Sequence, residues 1–171
     1  IAVIRALSAY LKHPLSDEQV NEFAYEIEKL HHGTPSGIDN TVVTYAQPVY
    51  FQRGQPVETF RVGTPFTLVI ADTGIPAPTK ESVGDVRKLW EADKARWEKV
   101  FDEIGGIANE ARSLIERGNP RELGRLMDAN QALLQELTVS STELDPLTKV
   151  ARNSGAGGAK LSGGGRGGEL V

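Results

Sequence analysis

HHGTPSGIDN, residues 31–40, is the stretch that decides how this chain is interpreted. It follows a helical pattern and precedes a segment of strand-like composition. Its glycines and proline preclude a regular helix, while its hydroxyls, imidazoles and carboxylate supply hydrogen-bond donors, acceptors and a candidate base. Loops held between rigid elements are where binding and catalytic residues concentrate. A polar connecting loop without chemistry is the alternative interpretation.

The residues before this stretch predict an amphipathic helix. Ser16 and Gln19 have the spacing of a capping box at its start. The apolar positions that follow recur at steps of three and four: Val20, Phe23, Ala24, Ile27 and Leu30. Glu28 falls at the edge of this apolar stripe, so its carboxylate can reach a neighbouring cleft, although most such glutamates are simply solvated. Residues 1–11 predict the end of a buried helix.

Strand-like segments follow the central stretch. Residues 41–45 and 49–52 are rich in β-branched and aromatic side chains and predict a hairpin. Residues 57–62 predict a further short strand. Residues 66–71 form a continuous apolar run, which predicts a central strand. An irregular loop over residues 72–79 is predicted after it.

Helical periodicity dominates the middle of the chain. It runs over residues 83–116, where Gly105-Gly106 weakens or breaks it, and Gly118 is a typical helix stop. Two further helices are predicted over residues 119–137 and 144–152.

A second unusual stretch is KLSGGGRGG, residues 160–168. Backbone N–H groups without intervening side chains can converge on an anion. The stretch contains a formal G-x-G-x-x-G, but the helix and acidic residue of the dinucleotide-binding fold do not follow it. Strand-like residues 159–162 and 169–171 flank the glycines, which favours an internal loop over a flexible tail.

Composition restricts the classes of function. The net charge of −4 argues weakly against a nucleic-acid partner. The absence of cysteine excludes disulfides and thiolate metal sites and is compatible with the cytoplasmic location that we expect. No apolar run approaches the roughly 20 residues of a membrane helix, and no signal-peptide pattern opens the chain. Because the chain starts without Met inside a helical pattern, we expect it to belong to a longer protein.

The two unusual stretches together contain the parts that phosphoryl transfer needs. Asp39 would be the base that deprotonates an attacking hydroxyl. Glu28 would bind Mg²⁺, which takes a few carboxylates together with phosphate oxygens. Two alternatives stay open. A zinc site at His31 and His32 lacks a third ligand at helical spacing, and a hydrolase that uses Ser36, His32 and Asp39 lacks the nucleophile-elbow motif.

These motifs resemble those of the mevalonate kinases, in the GHMP small-molecule kinase superfamily. Three pieces carry the resemblance, which extends over nearly the whole chain: Glu28 with residues 32–40, the DTGIP segment of residues 72–76 leading to Thr79-Lys80, and the glycine cluster of residues 160–168.

The resemblance implies an α+β fold. Residues 1–62 would be the remainder of an N-terminal domain related to ribosomal protein S5 domain 2, with the catalytic Asp loop. Residues 63–171 would be a truncated, ferredoxin-like GHMP kinase C-terminal domain. The family's N-terminal lysine segment and its P-x-x-x-G-L-G-S-S-A phosphate loop are missing from residues 1–171, and Ala77 stands where some members have arginine. We therefore expect the isolated chain to lack half of the nucleotide site.

The resemblance also implies ATP- and Mg²⁺-dependent phosphorylation of the primary hydroxyl of mevalonate, an early step of isoprenoid synthesis that gives 5-phosphomevalonate. Asp39 would be the catalytic aspartate and Glu28 the magnesium ligand. The implied phosphate-binding residues are Gly163, Gly164, Gly165, Gly167 and Gly168. The implied substrate-binding residues are His32, Gly33, Ser36, Gly37 and Thr79.

The implied small-molecule partners are ATP and mevalonate, and a homodimer is a possible assembly. We expect Asp39 to face the glycine cluster across one cavity. Two alternatives stay open: a GHMP kinase acting on another small alcohol such as phosphomevalonate, and an inactive fragment or binding module.

Overall fold

The computed structural model describes residues 1–32, 35–77 and 79–171, without the side chains of His31 and His32. Two units, Ile1–Val62 and Gly63–Val171, divide the chain. The first unit contains α1 (Ala2–Tyr10), α2 (Asp17–His32), α3 (Ile38–Tyr45), β1 (Val49–Tyr50) and β2 (Glu58–Thr59). The second contains β3 (Ala71–Asp72), α4 (Thr79–Ala92), α5 (Lys94–Glu116), a 3-10 turn (Pro120–Glu122), α6 (Leu123–Glu136), α7 (Leu144–Asn153) and β4 (Glu169–Leu170).

The start of α2 confirms the predicted capping box. The Ser16 N–H donates to Gln19 Oε1 at 3.0 Å, and the Gln19 N–H donates to Ser16 Oγ at 3.3 Å. These reciprocal bonds satisfy backbone donors that a helix start leaves without partners. The predicted stripe on α2 is only partly buried, since Val20 and Ala24 are buried whereas Phe23, Ile27 and Leu30 are exposed.

The first helix forms as predicted, but its predicted burial is wrong. No residue of α1 is buried, and Val3, Leu7 and Tyr10 are exposed. Within this unit, α1 packs on α2, and Arg5 binds the Thr44 carbonyl of α3 at 2.8 Å. These neighbours leave most of the apolar surface of α1 uncovered.

Residues 41–45 are helical, so the hairpin predicted for them is wrong. Burial in α3 follows the helical period, because Thr41 and Thr44 are buried while Val42 and Val43 are exposed. Side chains of α2 hydrogen-bond to α3, and this packing overrides the strand propensity of β-branched residues.

The strand β1 pairs instead with β2. The pairing is antiparallel and places Val49 opposite Thr59. The short strand predicted within residues 57–62 is therefore confirmed over two residues, Glu58–Thr59.

The core of the second unit lies between its helices and the strands beside the glycine cluster. It comprises Trp97, Val100, Leu137, Val139, Leu144, Leu161 and Leu170. The predicted helical run is split at Asp93, whose side chain accepts the Arg96 N–H and so caps α5. Helix α5 continues through Gly105-Gly106 because burial of its core residues outweighs the roughly 1 kcal/mol that each glycine costs in a helix.

Most of the central strand predicted over residues 66–71 is not formed. Only Ala71 and Asp72 pair, opposite Leu170 and Glu169 of β4. Within the described ranges no segment pairs with residues 66–70, so Leu68, Val69 and Ile70 are exposed. An apolar run forms a strand only where a partner satisfies its backbone groups.

The strand-like residues flanking the glycine cluster do pair with each other. Lys160 and Val171 exchange two backbone hydrogen bonds of 2.8 Å, and Leu161 lies opposite Leu170. The helix predicted over residues 144–152 is confirmed as α7. Across the part of the chain that the structure describes, no helix has the length and apolar character needed to cross a membrane.

Candidate functional site

A cavity of about 470 Å³ lies in the second unit beside the glycine cluster. This volume is within the range of small-molecule sites. Its walls are the loop after β3, the start of α4 and the two sides of the glycine loop. The lining includes Asp72, Thr79, Ser162, Gly163, Gly164 and Glu169. The structure thus brings together Thr79 and part of the predicted phosphate-binding cluster.

The glycine loop is held by backbone hydrogen bonds to two other segments. The Gly168 carbonyl accepts from Thr73 at 2.9 Å, and the Gly168 N–H donates to the Ile75 carbonyl at 2.8 Å. The Arg166 N–H donates to the carbonyl of Val139 at 2.8 Å. The loop is therefore an integrated part of the second unit rather than a flexible tail.

Gly164 and Gly165 are among the positions in the loop where a Cβ would lie too close to a neighbouring atom. Gly165 has φ +73°, and a Cβ at this position would collide with the Val139 carbonyl oxygen. A Cβ on Gly164 would lie 2.6 Å from the Thr79 hydroxyl oxygen. Glycine is needed here because the backbone approaches its neighbours more closely than any side chain would permit.

The glycine side of the cavity has the donors that an anion requires. Among the residues described, the N–H groups of Gly163 and Gly164 have no hydrogen-bond acceptor. Thr79 begins α4, whose dipole places partial positive charge at that end. Asp72 and Glu169 line the same cavity, and their negative charge disfavours an anion on their side. A phosphate group therefore fits best against the glycines and Thr79.

The side chain of Arg166 fixes the loop to α4 and to the segment after α6. Its Nε donates to the Thr138 carbonyl at 3.1 Å, and its NH1 lies 2.6 Å from Asp85 Oδ2. Hydrogen bonds from Lys88 and from Arg166 lower the pKa of Asp85 to about 2, from an ordinary 3.8. Asp85 thus carries its charge through the acidic range in which a free aspartate becomes neutral.

This ion-pair arrangement predicts a pH-dependent loss of stability in Asp85→Asn. Because the pKa of Asp85 is lower in the folded state, its ionic contribution is complete above about pH 4 and disappears as the pH falls through about 2. We expect the variant to melt below the wild type at neutral pH and the gap to close toward pH 2. Melting temperatures of both proteins from pH 7 to pH 2 measure this. Asp102→Asn, on the exposed surface of α5, is the control, and a gap that stays constant with pH would contradict the assignment.

A buried amide that the sequence did not single out anchors the strand leading into the loop. Gln131 is 1% exposed; its Oε1 accepts the Leu161 N–H at 2.8 Å, and its Nε2 donates to Ser140 Oγ at 3.0 Å. The sequence carries a signal that could have identified Gln131. It lies four residues after Met127 and three before Leu134, so it is a polar residue on an apolar stripe. Ser162, Asp72 and Glu169 were also missed as cavity residues.

The carboxylate of Asp39 lies in the first unit, in the first turn of α3. The sequence placed it in a loop before a strand, which is wrong because α3 begins at Ile38. Gly37 precedes the helix with φ +90° and is buried. Ser36 Oγ accepts the Ile38 N–H at 3.3 Å. Asp39 itself is exposed at the helix N-terminus.

The other predicted residues of the first unit are only partly described. Glu28 is half-buried on α2. Gly33 and the side chain of His32 lie outside the described residues, as do the imidazoles of the alternative zinc and hydrolase sites. The cavity shared by Asp39 and the glycine cluster stays a prediction.

Two family models match the chain in the order of its units. The GHMP kinases N terminal domain matches residues 1–47, and the GHMP kinases C terminal model matches residues 111–170. The chain belongs to the GHMP kinase family. The predicted α+β class is thereby confirmed for this GHMP kinase chain.

Curated relatives of this GHMP kinase chain include mevalonate kinases. The Aeropyrum pernix mevalonate kinase is 37% identical over 100% of this chain and 53% of its own length. The Saccharolobus solfataricus mevalonate kinase is 34% identical over 100% of this chain and 54% of its own length. The chain thus spans about half the length of these relatives.

Solved structures of mevalonate kinases are also similar to this chain. A mevalonate kinase from L. major in complex with R-mevalonate superposes with a TM-score of 0.85 and 37% identity, covering 97% of this chain and 52% of that one. The Methanococcus jannaschii mevalonate kinase, at 24% identity and a TM-score of 0.76, supports the fold over 98% of this chain and 51% of its own.

Proposed function

We propose that the protein carrying this chain transfers the γ-phosphoryl group of ATP to the primary hydroxyl of mevalonate, giving 5-phosphomevalonate. The observation that carries the proposal is the cavity of about 470 Å³ beside the glycine loop, in a chain similar throughout to mevalonate kinases. The L. major structure holds R-mevalonate, which supports mevalonate as the acceptor here.

Asp39 is the proposed catalytic base. The hydroxyl oxygen of the acceptor forms a bond to the γ-phosphorus, the bond from that phosphorus to the β–γ bridging oxygen breaks, and ADP leaves. The hydroxyl proton passes to the Asp39 carboxylate. An exposed carboxylate in the first turn of a helix suits this role because it is held by a rigid element and is still accessible.

The glycine loop is the proposed phosphate-binding element. The N–H groups of Gly163 and Gly164 are directed to no acceptor among the described residues, and the Thr79 side chain lies against Gly164. Gly165, Gly167 and Gly168 shape the loop that presents these donors. Such preorganised donors stabilise charge on a phosphoryl group as it is transferred.

The substrate-binding role proposed for the first stretch rests on the turn before α3. Ser36 hydrogen-bonds to the start of that helix, and Gly37 places the helix start against Phe51 and Tyr25. The parts proposed for His32 and Gly33 are predictions from sequence. The homodimer and the cytoplasmic location likewise stay predictions.

The carboxylate of Glu28 would hold Mg²⁺. Among the described residues, no three His, Asp or Glu side chains are grouped as a metal site. A single protein carboxylate fits Mg²⁺, whose remaining ligands come from phosphates and water, better than it fits Zn²⁺. When bound with ATP, Mg²⁺ neutralises charge on the phosphates.

An ADP-release assay on the full-length protein with a panel of alcohols tests this function. The panel contains mevalonate, phosphomevalonate and a short primary diol. We expect the highest kcat/KM with mevalonate and no turnover when Mg²⁺ is chelated. Turnover of phosphomevalonate without turnover of mevalonate would assign a different acceptor to the same fold. Calorimetry that shows neither ATP binding nor turnover would support a non-enzymatic module.

A further inference from the structure

A partly buried hydrogen-bond network joins α2 to the first turn of α3, which carries Asp39. Asn40 Nδ2 donates to Asn21 Oδ1 at 2.6 Å. Asn21 Nδ2 donates to Thr41 Oγ1 at 3.3 Å, and Thr41 Oγ1 donates to the carbonyl of Gly37 at 2.6 Å. The three side chains therefore form one continuous chain of hydrogen bonds from α2 to Gly37, the residue before α3.

This network encloses the backbone of Asp39. Gly37, which lies before Asp39 in sequence, and Asn40 and Thr41, which follow it, all take part in these hydrogen bonds. Asn40 is 6% exposed and Thr41 is 2% exposed. The Thr41 bond to Gly37 is buried and the two bonds of Asn21 are partly buried, which limits the access of water to the network. The direction of the Cα–Cβ bond of Asp39, from which its carboxylate extends, is thereby set from α2.

The same face of α2 carries the proposed magnesium ligand. Asn21 and Glu28 are seven residues apart on a continuous helix, so they lie on nearly the same side, about 10 Å apart along the axis. The hydrogen bonds between Asn21 and α3 therefore fix the position of Asp39 relative to Glu28.

A gain in the stability of the fold does not by itself account for the network. Within the described part of the chain, the buried Asn40 Oδ1 has no hydrogen-bond partner, and a buried acceptor without a partner is destabilising. An apolar side chain would avoid that cost but would lose the link to Asn21.

We propose that Asn21, Asn40 and Thr41 are positioning residues, which aim Asp39 at the acceptor hydroxyl through the first turn of α3. This inference rests on the proposed function of Asp39 as the base. A misdirected base lowers the rate of the chemical step and leaves substrate binding in the ground state largely intact. Loss of the network should therefore lower kcat and leave KM nearly unchanged.

The same helix provides a matched pair of substitutions. Thr41 and Thr44 are both 2% exposed on α3, but Thr44 Oγ1 has no hydrogen-bond partner in the described ranges. Thr41→Val removes two hydrogen bonds of the network, whereas Thr44→Val removes a hydroxyl of the same size and burial that makes none. In the full-length protein we expect Thr41→Val to lower kcat about tenfold or more with little change in KM, because small errors in placing a catalytic group are costly.

Conservative replacement separates positioning from packing. Thr41→Ser keeps the hydroxyl and should restore kcat to within about twofold of the wild type, while Thr44→Val should match the wild type. If Thr41→Val does not fold, Asn21→Ala removes the link from the α2 side and should give the same fall in kcat. Equal effects of Thr41→Val and Thr44→Val, or wild-type kcat in Thr41→Val, would overturn the inference. Wild-type kcat in Asp39→Asn would instead overturn the role of Asp39 as the base, and the absence of mevalonate turnover in the wild type would overturn the proposed function.

Discussion

Asp39→Asn in the full-length protein should lower kcat by roughly 10²–10⁴, the range expected when a positioned base is lost. Asparagine has nearly the same shape and can still accept a hydrogen bond, but it cannot take the proton from the hydroxyl. The exposure of Asp39 in the first turn of α3 means that the change should leave the fold intact. We expect the KM values for ATP and the acceptor to change by less than kcat. Steady-state kinetics in the ADP-release assay measure each parameter.

Asp17→Asn is the control for this substitution. Asp17 is also an exposed carboxylate in the first turn of a helix, α2, and it forms an ion pair with Arg5 at 2.8 Å. Both substitutions remove a charge that interacts favourably with a helix N-terminus, so they should cause similarly small shifts in melting temperature. Only Asp39→Asn should lose turnover, and a variant with near-normal kcat would remove Asp39 from the catalytic role.

Gly165→Ala should lower kcat/KM for ATP by about 10²-fold. A Cβ at this position collides with the Val139 carbonyl oxygen, the acceptor of the Arg166 N–H bond that holds the loop. The loop must shift to relieve the collision, and displacement of binding groups by about 1 Å is enough for an effect of this size. Since Gly165 has φ +73°, alanine also adds roughly 1–2 kcal/mol of backbone strain.

Gly155→Ala is the control that adds backbone strain without displacing the glycine loop. Gly155 has φ +99° in the same unit, but a Cβ there meets open space, and Gly155 is not among the cavity residues. It should lower the melting temperature without changing kcat/KM. If Gly165→Ala does not fold, Gly164→Ala gives a milder test because its Cβ meets the Thr79 side chain rather than a backbone carbonyl. Equal kcat/KM in Gly165→Ala and the wild type would show that the loop takes no part in nucleotide binding.

Local signals in the sequence identified the parts of the fold that depend on nearby residues. The capping box of Ser16 and Gln19 was predicted because its reciprocal bonds span three residues and need no tertiary partner. The glycine cluster was predicted to be an internal loop because strand-like residues flank it, and phosphate binding by this loop stays a prediction. The strands that flank it pair with each other, so their pairing also depends on one short segment.

The errors arose where distant residues decide the conformation. The β-branched residues of α3 favour a strand in isolation, but the hydrogen bonds that Asn21 accepts from Asn40 and donates to Thr41 stabilise the helix. Residues 66–70 are apolar enough for a central strand, but within residues 66–72 it is Ala71 and Asp72 that pair with β4. Gln131 was missed because its partner, the Leu161 N–H, is 30 residues away in sequence.

The phosphorus-31 spectrum of the product formed by the full-length protein from ATP, Mg²⁺ and mevalonate tests the proposed reaction most directly. Phosphorylation of the primary hydroxyl attaches phosphorus through oxygen to a CH₂ group, so we expect a new phosphomonoester signal split into a triplet by two protons. The signal should grow at the rate of ADP release and should be suppressed in Asp39→Asn. A signal without this splitting, or ADP release without a new phosphoester, would contradict phosphorylation of mevalonate at that hydroxyl.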